Sequence, residues 1–396
     1  MVTEGLTGGL RHDSAGVGSG PHFVLIVVQL VLLGLALAWL DILPETYRLL
    51  VVVSFAVFVV HHFLPDRYRL SLFVWSGVAS VFFVTGTSVR ADDTRAWSVA
   101  AALSNGAPML VVAVILIAIC RLRVLGFWTK VGLLALVGAA EALAKEGVVS
   151  LGPPQMVWLI LGATFALRLV VYLYDLSTLT TLPGWRESFA YFLVPPNVCS
   201  PVFPALDFKT FCRSHFAGQS RLLCQRGIER MIRGTLQLLV LRYVWIVYLP
   251  PERVYSGETL VVSVLTESLL YLGVSGHFHF ATGLLHLFGF RLPETHVRYF
   301  LAESVADFWR RANVYFRDLM VKVVYRPLFL RGRRAGVSPV VALAFATFAV
   351  FPISWAVRLY LTWWIEGRVA FTWTDFTFWV ILGVLAICLI ATNLGP

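Results

Sequence analysis

Charged residues are scarce in this chain of 396 residues. Asp, Glu, Lys and Arg make up 14% of it and hydrophobic residues 58%, whereas soluble domains carry ~25% charged residues. A soluble protein of this length needs more polar surface than that to cover its core. The composition therefore excludes a soluble enzyme, a disordered chain and a coiled coil, and it indicates a polytopic membrane protein.

Cysteine is also sparse, and metal-binding motifs are missing. The five cysteines include no CxxC pair, and their odd number argues against complete disulfide pairing. No HExxH occurs, and His277, His279 and His286 lack both acidic neighbours and the Cys/His spacing of zinc sites. We therefore expect no metal site. We expect no nucleic-acid partner either, because membrane topology already accounts for the basic loops.

Long apolar runs are plentiful. Crossing a bilayer takes roughly 20 mostly apolar residues. Ten runs qualify: 22–40, 47–64, 70–88, 97–120, 126–144, 156–175, 232–250, 258–275, 337–364 and 374–393. Asn105, Gly106 and Pro108 predict a break in one of them. The predicted fold is all-α: one polytopic membrane domain over 1–396, with a polar tail at 1–21 and about ten transmembrane helices.

The net charge of +10 lies mostly on one side of this layout. Loops 41–48, 87–95, 141–150, 250–258 and 366–375 hold 6 Lys/Arg and 10 Asp/Glu. Loops 63–70, 121–130, 209–233 and 291–334 hold 21 and 6. Because basic loops stay in the cytoplasm, we expect both termini to be cytoplasmic, in the plasma or inner membrane.

Two stretches, 176–231 and 276–334, are too long for ordinary connections and too apolar to lie in water. Pro195-Pro196 cannot continue a helix. We expect re-entrant or cytoplasmic-face segments, buried in protein or lining a cavity. Within the second stretch, apolar residues recur at helical spacing over 303–326. This predicts a basic amphipathic helix that either only lies in the membrane interface or takes part in the protein's function.

The charged residues inside apolar stretches include Arg168, Asp175, Arg242 and Glu267. Such residues are functional candidates by default. Arg242 and Glu267 lie on adjacent predicted spans and would form either an ion pair that fixes helix register or part of a proton pathway.

Short motifs follow one another in order over Tyr271–Arg331. They are Ser275-Gly276, then TGLLHLFGFRLPE over 282–294, SVADFWRR over 304–311 and FRD over 316–318. Upstream, VPPNVCSPVFPALDFKTF ends in an Asp-Phe pattern. In order and spacing these motifs resemble the membrane-bound O-acyltransferase superfamily. The resemblance is strongest to the bacterial branch that includes the D-alanyl transfer protein of teichoic acids and the alginate O-acetylation protein.

The resemblance implies that an acyl group passes from a thioester carrier to a hydroxyl of a cell-surface glycan or lipid, inside a membrane chamber. It implies no bound cofactor, only a donor: coenzyme A or an acyl carrier protein at the cytoplasmic face. Basic residues there would attract such an acidic donor, although topology and anionic membrane lipids explain them equally well. They are Lys209, Arg213, Arg221, Arg226, Arg310, Arg311 and Arg317.

The chain departs from the family where the catalytic histidine is expected. In the family, the polar residue that follows shortly after DFWRR is His or Asn, and Asn313 matches the Asn form. The later segment Phe351–Trp364 has no histidine, and Arg358 stands at the expected place. Arginine stays protonated and cannot take a hydroxyl proton. Three roles stay open for Arg358: it holds a carboxylate or phosphate, it stabilises an oxyanion, or it pairs with a buried acid such as Glu267 or Glu366.

The resulting candidate site has two parts. The catalytic candidates are Asn313, Arg358 and His286, and the candidates for substrate or carrier binding are Arg310, Arg311, Arg317, Asp307 and His279. Asp307 is also expected to cap a helix start. Three hypotheses remain open at this point: an acyltransferase that uses His279, His286 or His296 as a substitute base, an inactive scaffold or binding protein, and a transporter or flippase.

Overall fold

The computed structural model describes residues 20–89, 95–148, 160–194, 207–215, 221–247, 256–369 and 371–393. In these ranges fifteen α-helices follow one another in chain order. They are α1 Pro21–Leu40, α2 Glu45–Phe63, α3 Asp66–Thr85, α4 Val99–Arg121, α5 Phe127–Lys145, α6 Ala166–Ser177, α7 Trp185–Phe192, α8 Phe208–Ser214, α9 Arg221–Val247, α10 Gly257–Leu287, α11 Val305–Arg311, α12 Val314–Met320, α13 Arg326–Arg334, α14 Pro339–Glu366 and α15 Trp373–Asn393.

Several short elements complete the described parts of the chain. Two strands, β1 Thr87–Val89 and β2 Arg95–Trp97, pair antiparallel between α3 and α4. Two π-helical turns, Leu161–Phe165 and Val321–Tyr325, lead directly into α6 and α13, and Tyr299–Leu301 forms one 3₁₀ turn.

Eight of the described helices are long and apolar enough to cross a bilayer: α1 to α5, α10, α14 and α15. A helix satisfies its own backbone hydrogen bonds, which is what the bilayer interior requires. The all-α membrane class is therefore confirmed, and eight of the ten predicted runs coincide with these helices. Of the other two, 232–250 falls largely within α9, and 156–175 is helical from residue 160 onward; residues 156–159 and 248–250 lie outside the described ranges.

Contacts divide the chain into two compact units, residues 1–69 with 210–294 and residues 70–209 with 295–396. In the first unit α9 and α10 run antiparallel in close contact. A Cβ at Gly283 would lie 2.5 Å from the carbonyl oxygen of Gly227, and a Cβ at Gly234 would lie 2.5 Å from that of Gly276. Glycines seven residues apart on each helix thus let the two backbones approach closely, as small residues do in membrane helices.

Arg242 joins α9 to the end of α1 in the same unit. Its guanidinium donates to the carbonyl oxygens of Leu40 at 2.5 Å and Asp41 at 2.6 Å. The last carbonyls of a helix lack partners within the helix and carry partial negative charge. Arg242 therefore completes the end of α1; the side chain of Glu267, its predicted partner, lies outside the described residues.

In the second unit the predicted break in 97–120 is wrong. Helix α4 runs without interruption through Pro108, and Asn105 donates from its side-chain amide to the carbonyl oxygen of Thr85, 3.1 Å away.

The single amphipathic helix predicted over 303–326 is also wrong. The stretch divides into α11, α12 and the π-helical turn Val321–Tyr325, because Asn313 adopts a left-handed conformation with φ 42°. The longer predicted segment 276–334 divides as well, since its first residues continue the long helix α10 as far as Leu287.

Candidate functional site

Asp307 organises the start of α11 in the second unit. The Ser304 hydroxyl accepts the backbone N–H of Asp307 at 3.1 Å, and an Asp307 carboxylate oxygen accepts the backbone N–H of Glu303 at 3.3 Å. The Asp307 N–H is one of those that a helix start leaves free, and Glu303 lies one residue before the N-cap Ser304. Asp307 thus takes part in helix capping, the role that its position predicts.

The same carboxylate holds two of the candidate binding residues. Arg311 approaches it to 2.7 Å and Arg310 to 3.0 Å. Hydrogen bonding from Arg311 is the main reason why the pKa of Asp307 is held below its ordinary value. Arg310 nevertheless keeps most of its side chain, 72%, exposed.

Arg317 adds a third guanidinium to this cluster. It donates to the Arg310 carbonyl oxygen at 2.8 Å and pairs with Asp318 at 2.7 Å. Three guanidinium groups therefore face two carboxylates, which leaves one positive charge in excess. We call Asp307, Arg310, Arg311, Arg317 and Asp318 the arginine cluster; it can bind a phosphate or carboxylate by charge and by N–H donation.

Asn313 caps a helix beside this cluster. Its side-chain carbonyl accepts the backbone N–H of Phe316 at 3.2 Å and so caps α12. Asparagine tolerates the left-handed conformation better than most residues do. The predicted catalytic amide is therefore already engaged as a helix cap.

Arg358 has a partner that the sequence did not indicate. Its guanidinium lies 2.6 Å from Asp375 in the first turn of α15, and the indole N–H of Trp355 donates to the same carboxylate at 3.1 Å. Of the two predicted partners, Glu366 pairs instead with Arg368 at 2.9 Å, and the side chain of Glu267 lies outside the described residues. Arg358 thus stabilises the α14–α15 hairpin with 54% of its side chain exposed.

The predicted histidines fall in different units. His279 and His286 are buried in α10 of the first unit, whereas His296 is buried in the second. His286 Nδ1 lies 2.7 Å from the Thr282 carbonyl oxygen, which can only accept, so Nδ1 carries the hydrogen. In neutral His286 the lone pair is then on Nε2, which leaves that nitrogen able to accept a proton.

A charged cluster that motif comparison missed is centred on Lys322. Its ammonium contacts the carboxylates of both Asp175 and Asp207, and Asp175 is fully buried. Asp175 also accepts the backbone N–H of Phe208 at 3.1 Å at the start of α8. Asp175 was a sequence candidate, but Lys322 resembled the surrounding surface charges. The Asp-Phe pattern at 207–208 was the one signal that marked this place.

No protein-family model matches the chain, and no curated protein matches it.

Proposed function

We propose that this protein is a membrane-bound O-acyltransferase-like protein that moves an acyl group from a thioester carrier to a hydroxyl of a cell-surface glycan or lipid. The arginine cluster carries the proposal. Its segment is the part of the chain that most resembles the family, and it carries a net positive set of guanidinium groups. Arg310 is exposed, and Asp307 holds Arg310 and Arg311 in place. Such a set suits the phosphates of coenzyme A or an acidic carrier protein.

The proposed topology has ten spans with both termini in the cytoplasm. Support comes from α9, which lies against the spanning helix α10 at both glycine pairs and reaches the end of α1 through Arg242. Its basic residues lie mainly in its first half. This topology puts the arginine cluster at the cytoplasmic face, where the donor is made.

Among the predicted catalytic residues, His286 is the one whose side chain can accept a proton, at Nε2. In acyl transfer the hydroxyl oxygen bonds to the acyl carbon, the carbon–sulfur bond breaks, and the hydroxyl proton passes to a base and then to the thiolate. Asn313 and Arg358 do not serve as bases, because an amide and a guanidinium stay unable to accept a proton at neutral pH.

The experiment follows thiol release by the purified protein in nanodiscs, with acetyl-coenzyme A or palmitoyl-coenzyme A as donor and a mannose oligosaccharide as acceptor. We expect Arg310→Ala to raise the KM for the donor about 10-fold, the loss of one charge-assisted hydrogen bond of about 1.4 kcal/mol. Arg368→Ala removes an equally exposed arginine that pairs with Glu366 and is the matched control.

A second candidate function, the inactive scaffold, is favoured by one observation: Asn313 and Arg358 are both engaged in structural contacts. Coenzyme A binding by calorimetry separates the two functions. Binding that weakens in Arg310→Ala, without thiol release from either donor, supports the scaffold and contradicts acyl transfer.

A further inference from the structure

Four aromatic rings contact one another where α14 and α15 meet in the second unit. The Trp355 ring centroid lies 5.6 Å from that of Phe371 and 4.9 Å from that of Phe376. The Trp373 centroid lies 5.2 Å from that of Phe371 and 6.1 Å from that of Phe376. We call Trp355, Phe371, Trp373 and Phe376 the aromatic cluster. Because these rings hold one another in place, a ligand that covers them loses little binding energy to ordering side chains.

The outer rings of the aromatic cluster are open. Trp373 is 73% exposed and Phe371 43%, whereas Trp355 and Phe376 are half-buried. A tryptophan that only anchors a helix end in the membrane interface needs no ring partners. Trp39 at the end of α1 is of that kind, since it is exposed and has no ring contact to another described side chain. Trp373 differs from it by belonging to an assembled aromatic surface.

An ion pair borders this surface. The Asp375 carboxylate, two residues after Trp373, accepts from the Arg358 guanidinium at 2.6 Å and from the Trp355 indole N–H at 3.1 Å. Asp375 thus joins the aromatic cluster directly to Arg358. Among the described residues the Arg358 guanidinium donates to Asp375 alone, and 54% of its side chain is exposed. Its remaining N–H groups are therefore open to acceptors on a ligand.

The balance of charge decides which ligand class fits. Arg358 and Asp375 compensate each other, so the surface attracts neither a cation nor an anion by net charge. In this it differs from the arginine cluster, which has one positive charge in excess. A matching ligand is neutral, with flat apolar faces for the rings and oxygen atoms for the guanidinium. Pyranose sugars have both features, because C–H groups cover the faces of the ring and hydroxyls surround its edge.

We propose that the aromatic cluster, together with Arg358 and Asp375, binds a neutral oligosaccharide. Sugar rings stack on the exposed aromatic side chains, and sugar hydroxyls accept from Arg358 and donate to the outer face of the Asp375 carboxylate. In the proposed topology this end of the α14–α15 hairpin lies outside the cytoplasm, where a cell-surface glycan is found. The inference rests on the proposed function in one respect, since it takes this sugar to be the acyl acceptor.

The test is saturation-transfer NMR on the full chain in nanodiscs, with no thioester present. The probes are three neutral hexasaccharides, of mannose, α-linked glucose and β-linked glucose, and one hexasaccharide of uronic acids. We expect transfer to the ring C–H protons of at least one neutral sugar, above the level of empty nanodiscs, and weaker binding of the uronate. Absence of transfer to all three neutral sugars, or tighter binding of the uronate, would overturn the proposal.

Variants of one exposed residue separate stacking from membrane anchoring. Trp373→Leu keeps an apolar side chain without a ring, and we expect it to weaken sugar binding about 10-fold. Trp373→Phe keeps a ring and should retain most of the affinity, and Trp39→Leu, the matched control, should bind as the unaltered chain does. Equal affinity in Trp373→Leu and Trp39→Leu contradicts the assigned surface. Because the readout is sugar binding, it fails or succeeds independently of thiol release.

Discussion

Asn313 shows at the scale of one residue how the site segment is built. Its left-handed backbone separates α11 from α12, and its side chain supplies the first hydrogen bond of α12. Both features depend on the residue type. An apolar residue is strained in the left-handed conformation, and its side chain has no oxygen that could cap the helix.

We expect Asn313→Ala to destabilise the protein by about 2 kcal/mol, from roughly 1 kcal/mol for the lost cap and a similar amount for the left-handed backbone. Thermal unfolding in detergent measures the change. Asn313→Gly is the matched control, since glycine accepts the backbone conformation and costs only a few tenths at a cap position. If alanine and glycine proved equally mild, Asn313 would not be a structural cap.

At the scale of whole elements, the contact between α9 and α10 depends on glycine. A methyl group at Gly283 would lie 2.5 Å from the Gly227 carbonyl oxygen and 3.0 Å from the Met231 amide nitrogen. Both are backbone atoms, which cannot rotate away as a side chain would. The helices must therefore separate to accommodate any larger residue.

We expect Gly283→Ala to destabilise the protein by about 1–3 kcal/mol, the usual range for overpacking. Gly132→Ala in α5 is the control, because a methyl group there meets nothing within 4 Å and alanine favours the helix by about 1 kcal/mol. The midpoint of thermal unfolding should fall in the first variant and hold or rise in the second. Equal midpoints would contradict a glycine-dependent contact.

The spanning helices were predictable from the sequence because hydropathy and length alone determine them. Runs such as 22–40 and 374–393 coincide with α1 and α15 almost residue for residue. Helix α9 is harder to recognise, because Arg226, Arg230 and Arg233 dilute its apolar character while glycine packing holds it in place. Pattern analysis also overlooked the helix break at Asn313, since an apolar period of 3.6 continues across this residue.

The partners of charged side chains were not predictable. Arg358 meets Asp375 because α14 and α15 form a hairpin, and Lys322 meets Asp175 from 147 residues away. Glu141 falls in both the predicted span 126–144 and the loop range 141–150, where its charge was counted as a loop charge; in the structure it lies within the last turns of a spanning helix. Such contacts depend on which helices pack together, and the pattern of a single sequence does not show which charged side chains then meet.

Across a whole unit, Lys322 ties together three parts of the chain. Its ammonium joins the end of α6, through Asp175, to Asp207 just before α8 and to the π-helical turn that leads into α13. Asp175 is fully buried and also holds the N-terminal N–H of Phe208. Loss of the lysine would leave a buried carboxylate without its counter-charge.

We expect Lys322→Met to destabilise the protein by about 3–5 kcal/mol, the range found when one partner of a buried ion pair is removed. Lys322→Met combined with Asp175→Asn should recover part of this loss, because the double variant leaves no unpaired buried charge at that position. Unfolding midpoints of the two single variants and the double variant form the cycle. Strictly additive losses would mean that the contact contributes no coupling energy.

The distribution of charge determines how the whole molecule is oriented. With the termini in the cytoplasm, Arg334 at the end of α13 is inside and Arg368 between α14 and α15 is outside. Both residues are exposed. In a chain whose five cysteines are replaced by alanine, we expect Arg368→Cys to react with a membrane-impermeant maleimide on intact cells. Arg334→Cys should react only after permeabilisation.

Since 21 basic residues lie on the side assigned to the cytoplasm, the reverse labelling would require them all to be translocated. It would also place the arginine cluster away from any cytoplasmic thioester and so remove the basis of the proposed function.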